Sequence, residues 1–572
     1  MPIAAGAAGE TAVICPIRFR RAIEGPPSYY SPDLDERGFA SSTSEADYRP
    51  AAGPTVGMML GGPDIKVSVV REAIGPKHVL CVKVEKIWGT GTLEVVSPLT
   101  SLDKPAEGYA VDDICLRNPF TTTSATDKDQ SLAEAAAENE RLLCSALWQY
   151  EAKFRKRLKK NPSDGTAAQA MTQIASLYNA YDHQHRLDAG TIKSIVESKT
   201  PLTARVTALK TAIQRRRAAA AVTKTSGFKV SVHLGSQDGP VLGELGVVLF
   251  PLAVIPVQPH VVSLGSTTDL SSSPADAFAA DFSKSGSSFD VARMLLLFAM
   301  INVNVATAGL FFEFDREKVS RFRLCDATET RTLDGIKQAK ISGYNDLFFQ
   351  GFLLVNASLG SMRSDPWVNV LMNCKTSEAI DPYQTGKLNI YFVRELREDA
   401  LKSSALVAVG FGSKIQTQTA KTLTVKLPPK TYNLPVGDDR IGIVCGVSNI
   451  DGVVPEVFMA TRVMSRTLTH EAAHVCNVAH YRGGEGNTAH HDVWAVRNLM
   501  HLQEDLRYEW PSAGYGKVDA HGLDQAVAGV LLTMKKFPDP PATSEYVPRN
   551  DQVAQMREVF VTTKKYYGTG VK

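Results

Sequence analysis

The chain has 572 residues, 44% hydrophobic, 22% charged and 8% aromatic, with 63 basic against 60 acidic side chains. That length is a prior for roughly three or four domains, and a net charge of +3 supplies no strong field for nucleic acid or an anionic membrane. Average glycine and proline exclude a collagen-like or wholly disordered chain, and eight cysteines without a C-x-x-C pair exclude a disulfide scaffold or a thiolate zinc ribbon.

The opening MPIAAGAAGETAVICPIRFRR places its basic residues after the apolar part, so no secretory signal peptide is expected. The longest apolar stretch, Val247 to Val257, has 11 residues and contains Pro251 and Pro256, too short and too broken to span a bilayer as a helix. A cytoplasmic location is the default expectation, with export by a signal-less route open.

Residues 1–62 are irregular in texture. The β-branched, alternating stretches 65–71, 78–86 and 91–97 predict a small antiparallel β unit, completing an irregular and β-rich N-terminal region over 1–125. Residues 128–222 predict a helical hairpin or bundle. Leu132, Ala136, Leu143, Leu147, Tyr150, Phe154 and Leu158 keep helical spacing, Asn161-Pro162 stops that helix, and Ser163 or Asp164 can cap the next. The basic runs 153–160 and 215–217 read as solvated helix ends, because no aromatic or Gly-rich element is interleaved with them.

A third region, 225–545, begins with β-rich stretches at 228–234 and 246–263. The Ser-rich segment 265–288 reads as a loop. Val291, Leu295, Phe298, Ile301 and Val305 mark an amphipathic helix that leads into the strand LFFEF at 310–314. Further strands are expected at 388–393, 405–411 and 441–447, and residues 546–572 read as a C-terminal tail.

Seven of the twelve histidines lie between residues 470 and 521. The run THEAAHVCNVAH holds His470, Glu471, His474 and His480. Met464, Leu468, Ala472 and Val475 form an apolar helical stripe, and His470 and His474 project together from another side. Two imidazoles at i, i+4 can chelate one Zn²⁺, and Glu471, angled away from His470, can serve as general base without being a ligand. His480 reaches the same ion only if the chain turns sharply after His474. Asn477 lies midway, and Asn is the residue after Gly that best tolerates positive φ. His490, His491 and Asp492 form a second cluster, read as a solvated loop. Glu504 is the third-ligand candidate of an alternative zinc architecture, disfavoured by His480 together with Met500 of the downstream run RNLMH at 497–501.

The pattern His470-Glu471-x-x-His474-x-x-Asn477-x-x-His480 resembles the signature of the metzincin zinc metallopeptidases, with Asn477 where the family carries Gly. RNLMH at 497–501 resembles the downstream Met-turn and places Met500 twenty residues after His480. The second residue after it is Leu502, so the Tyr that some subfamilies place there is absent. The helix at 290–306 with AGLFFEF resembles the clan's first helix and second strand, LNIYFV its third strand, and HGLDQAVAGVLL at 521–532 its C-terminal helix. The resemblance implies an α+β multidomain protein. Its metzincin-like domain has a twisted mixed sheet, an active-site helix and a C-terminal helix, and is preceded by a small β-rich unit and a helical bundle.

It also implies Zn²⁺ held by His470, His474 and His480, Glu471 as general base, Met500 beneath the metal, and a protein or peptide substrate extended along an edge strand, for which 441–447 is the candidate. The expected function is zinc-dependent endopeptidase. Two alternatives stand beside it: an injected or non-classically exported protease toxin or effector, and a non-catalytic zinc-containing binding scaffold. The intact Glu471 disfavours the scaffold.

Overall fold

The structure, a computed structural model, describes residues 12–16, 55–59, 65–72, 80–95, 109–118, 152–165, 167–168, 204–205, 207, 225–234, 236–239, 241–265, 274–328, 336–341, 353–354, 366–375, 382–397, 410–414, 422–427, 430–435, 440–453, 457–478 and 552–564. They form a mixed α+β protein with two compact units. Among the described residues no helix is long and apolar enough to cross a membrane.

The first unit, Met1–Ala253 with Asn302–Phe311 and Ala479–Arg557, holds two four-stranded sheets. Its strands are β1 (Ala12–Pro16), β2 (Thr55–Met59), β3 (Ile65–Glu72), β4 (Leu80–Trp88), β5 (Glu94–Val95), β6 (Tyr109–Arg117), β7 (Ser226–Leu234) and β8 (Val241–Phe250). One sheet runs β1-β3-β6-β5, the other β2-β8-β7-β4. The three stretches expected to form one antiparallel unit are therefore strands, but β3 and β4 belong to different sheets. Alternation makes a strand and does not choose its partner. β4 pairs with β7, 138 or more positions further on, and Trp88 lies over Gly227, where any Cβ would overlap the indole ring. β7 and β8, assigned by sequence to the third region, thus share a sheet with strands of the N-terminal region, and β1 and β2 fall in the stretch expected to be irregular.

Within the predicted bundle, residues 152–160 are helical, with Phe154 fully buried and Lys153, Arg155, Lys156, Arg157, Lys159 and Lys160 exposed. The helix ends before Asn161-Pro162. Asp164 caps the next turn by accepting from the Ala167 amide at 2.9 Å, and its carboxylate is gripped by Arg157 at 2.8 Å. Within the stretch expected to be a C-terminal tail, residues 552–562 are helical. In the helix Gln552–Arg557 the side chains of Val553 and Met556 are fully buried, and Arg557 donates to the Ala308 carbonyl at 3.0 Å while covering the Phe250 ring.

The second unit, Val254–Ile301 with Phe312–Val478 and Glu558–Lys572, carries the larger sheet. The strands lying wholly or partly in it are β9 (Ala253–Leu264), β10 (Leu310–Glu313), β11 (Ser320–Asp326), β12 (Lys337–Ile341), β13 (Leu353–Leu354), β14 (Leu388–Val393), β15 (Leu396–Arg397), β16 (Gly410–Lys414), β17 (Thr422–Leu427), β18 (Lys430–Pro435) and β19 (Ile441–Gly446). The seven-stranded sheet has the order β12-β11-β9-β14-β19-β16, with β10 alongside β9. Neighbours from β12 to β19 are parallel, and β16 runs antiparallel to β19 at the end. LNIYFV is buried at all six positions, as a strand covered on both faces requires. The stretch 441–447, the candidate substrate strand, is not at an edge of the sheet. β19 lies between β14 and β16 with its backbone groups engaged on both sides, so among the described strands the edge position belongs to β16.

The helices are α1 (Pro274–Asp281), α2 (Val291–Val305), α3 (Pro366–Asn373), α4 (Val447–Val453) and α5 (Val457–Val475). α1 interrupts the segment expected to be a loop. Phe278 is buried, and Ser263 accepts the Ala279 amide at 2.8 Å. α2 is followed by a short 3-10 turn, and Gly309, at φ 65°, redirects the chain into β10. α5 packs against β16, β19 and α4.

Candidate metal centre

α5 carries the signature. Its predicted stripe is the buried core face, with Met464, Leu468, Ala472 and Val475 at most 1% exposed. The other side is covered as well. His470 is 3% and Glu471 8% exposed, and His474 is partly buried. The rings of His470 and His474 stand 4.7 Å apart between centroids and nearly perpendicular, at 87°. That separation suits two imidazoles sharing an ion at the usual Zn–N distance of about 2.0–2.1 Å.

The helix ends in a Schellman turn. Asn477 adopts φ 60°, its amide donates to the His474 carbonyl at 2.8 Å, and the Val478 amide donates to the Ala473 carbonyl at 3.1 Å. This turn also orients His474. It brings the Val478 carbonyl to His474, whose Nδ1–H donates to it at 2.9 Å. A carbonyl only accepts, so the proton sits on Nδ1 and the Nε2 lone pair is left for a metal. Burial lowers the His474 pKa, with the Val478 hydrogen bond opposing, and a neutral ring is the form that ligates. The Val478 carbonyl was not foreseen in the sequence, because a backbone acceptor leaves no residue-type signal.

Among the described residues the other histidines, His233 and His260, are engaged within their own sheets. His233 Nδ1–H donates to the Gly239 carbonyl at 2.9 Å and Nε2 accepts from Ser231 at 2.7 Å. His260 Nε2–H donates to Asn389 Oδ1 at 2.9 Å, and its ring stacks on Tyr391 at 4.3 Å. Cys445, on β19, is fully buried. Burial drives its thiol pKa strongly upward, Arg293 opposes, and Glu471 and Asp451 add to the rise, so Cys445 stays a thiol and does not compete as a thiolate ligand.

A buried ion pair anchors α5. Arg293 in the first turn of α2, with a side chain 4% exposed, donates to both carboxylate oxygens of Asp451 in α4 at 2.6 and 2.9 Å. Its Nε donates to Thr461 Oγ1 in α5 at 2.9 Å. Asp290 caps α2 by accepting the Arg293 amide at 2.8 Å. These partners stand 158 and 168 positions from Arg293 in the chain, so no spacing rule finds them.

Of the predicted site residues, the structure brings His470, Glu471, His474 and Asn477 together at the end of α5. His480, Met500, His490, His491, Asp492, Glu504 and the stretch 521–532 lie outside the described residues. With two of the three expected ligands described, no group of three or more His, Cys, Asp or Glu side chains able to hold a metal ion occurs among the described residues. No protein-family model, no curated protein and no solved structure matches the chain.

Proposed function

We propose that the chain is a zinc-dependent endopeptidase of the metzincin type. The observation that carries this reading is the paired arrangement of His470 and His474 on one helix, with Glu471 between them and an αL turn at Asn477 immediately after. The donor set fits zinc: neutral imidazoles, one with its Nδ1 proton committed to a carbonyl. The sheet with one antiparallel edge strand, and a signature helix packed against that strand, is in keeping with it.

His470, His474 and His480 would hold the ion. When bound, zinc makes water acidic enough to act as a nucleophile near neutral pH and polarises the scissile carbonyl. Glu471 takes the proton of the attacking water and delivers it to the leaving amine nitrogen. Its near-complete burial strengthens that role, because electrostatic interactions are larger where water is excluded. An extended substrate pairs with β16, the terminal strand of the sheet among the described residues, by β-augmentation, which presents its backbone in a fixed register beside α5.

The test is Glu471→Gln. The variant keeps its zinc, measured by metal analysis, and loses hydrolysis of a generic protein substrate by about 10²-fold or more, the scale of a lost general base. Wild-type turnover in that variant removes the assignment. Wild-type protein that is inactive with and without a chelator removes the peptidase reading and favours the binding scaffold.

A further inference from the structure

Thr467 lies one turn before the signature on α5 and is 2% exposed. Counting about 100° per residue, His474 falls about 20° to one side of it, Glu471 about 40° to the other and His470 about 60° away. Positions 467, 470, 471 and 474 are thus one i, i+3, i+4, i+7 stripe, and Thr467 is its hydroxyl member. Helical side chains lean toward the N-terminus, so Glu471 lies over the turn that carries Thr467.

The Thr467 Oγ1 has no hydrogen-bond partner among the described residues. The helix offers one. Thr461 donates to the Val457 carbonyl at 2.7 Å and Thr469 to the Ser465 carbonyl at 2.7 Å, each four residues back. The equivalent acceptor for Thr467 is the Val463 carbonyl, and its hydroxyl does not use it. A buried hydroxyl left unpaired destabilises the fold, and valine has the same shape without that cost. Folding alone therefore gives no reason for a threonine here, whereas the working site does.

We infer that Thr467 is a positioning residue for Glu471: its hydroxyl is a donor held for the carboxylate of the acid–base group one turn on, and it makes that hydrogen bond when the site is loaded. This rests on the peptidase reading above. A donor there fixes the carboxylate during both proton transfers without touching metal or substrate.

Thr467→Val and Thr467→Ser separate this role from a structural one. In the metal-free protein, Thr467→Val leaves the melting temperature equal to or above that of the wild type. Zinc affinity, read by chelator competition with zinc alone, stays within about threefold, since the ligands are intact. In the zinc-loaded protein kcat falls about tenfold with KM within about twofold, the scale of a lost outer partner and the split expected of a transition-state effect. Thr467→Ser restores kcat to within about twofold of wild type. A lowered melting temperature in Thr467→Val overturns the inference, because the hydroxyl then has a structural partner, and an unchanged kcat overturns it equally. If the wild type binds no zinc or hydrolyses nothing, the peptidase reading falls and this inference with it. If the wild type does both and only the threonine arm fails, that reading stands.

Discussion

The helix at 152–160 and α5 are both rich in polar side chains, and the structure uses them in opposite ways. The first has six basic residues in nine positions, all exposed, with Phe154 as its one fully buried anchor. α5 buries Arg466, Thr467, His470 and Glu471 to 8% exposure or less, alongside an apolar face that is equally covered. Charge on a solvated face costs little and implies little. Polar groups inside a helix interface are destabilising unless paired, so their concentration in one stretch of α5 sets that stretch apart from a solvated face and is in keeping with the proposed site.

The largest effect expected from this contrast is at the anchor of α5. Arg293→Met leaves Asp451 without its counter-ion and Thr461 without its donor. Because the Asp451 side chain is 26% exposed, the loss falls at the low end of the range for a broken buried pair, about 3 kcal/mol. Asp451→Asn, which strands the more deeply buried guanidinium, costs at least as much. Urea unfolding monitored by circular dichroism measures both. A change below about 1 kcal/mol in Arg293→Met would mean that α5 is no more sensitive to charge loss than a surface helix.

A second, smaller effect depends on pH. Burial holds the His474 pKa below the ordinary histidine value of about 6.5. The unfolded chain therefore takes up the proton first as pH falls. The stability contributed by the neutral ring is complete above about pH 6.5 and is lost as pH drops through the folded pKa. The melting temperature of the metal-free protein falls between about pH 7 and pH 5.5, and His474→Gln flattens that slope. Equal slopes in the two proteins would show that His474 titrates as an exposed side chain does.

The local features of α5 were legible and the long-range ones were not. Spacing alone gives the stripe Met464, Leu468, Ala472, Val475 and the i, i+4 histidine pair. Residue type points to Asn477 as the place for positive φ, and the structure gives it φ 60°. The His474–Val478 bond follows from the turn's geometry, which no side-chain pattern encodes. The Arg293–Asp451–Thr461 anchor joins three elements through contacts that sequence distance hides. The β strands divide in the same way. Alternation found β3 and β4 but not their partners, which are set by matches such as Trp88 over Gly227. IGIVCG is a continuous apolar run, the pattern of a strand covered on both faces, and β19 is interior for that reason.

The smallest effects belong to the exposed helix, where they sharpen the contrast from the other side. Lys156→Ala removes a solvated charge and changes stability by no more than about 0.5 kcal/mol. Arg157→Ala goes further, because the guanidinium holds Asp164 through three hydrogen bonds and Asp164 also caps the following turn. Arg157 is 42% exposed, so screening by water limits that loss to about 1 kcal/mol. Salt separates the two regimes. Raising ionic strength to about 1 M shortens the Debye length to about 3 Å, which removes most of the difference between Arg157→Ala and the wild type. The Arg293→Met deficit persists under the same conditions, because its pair lies largely out of reach of the counter-ions. Should salt erase both deficits alike, burial would not distinguish the two helices, and the polar stripe of α5 would carry no more information than the basic run at 153–160.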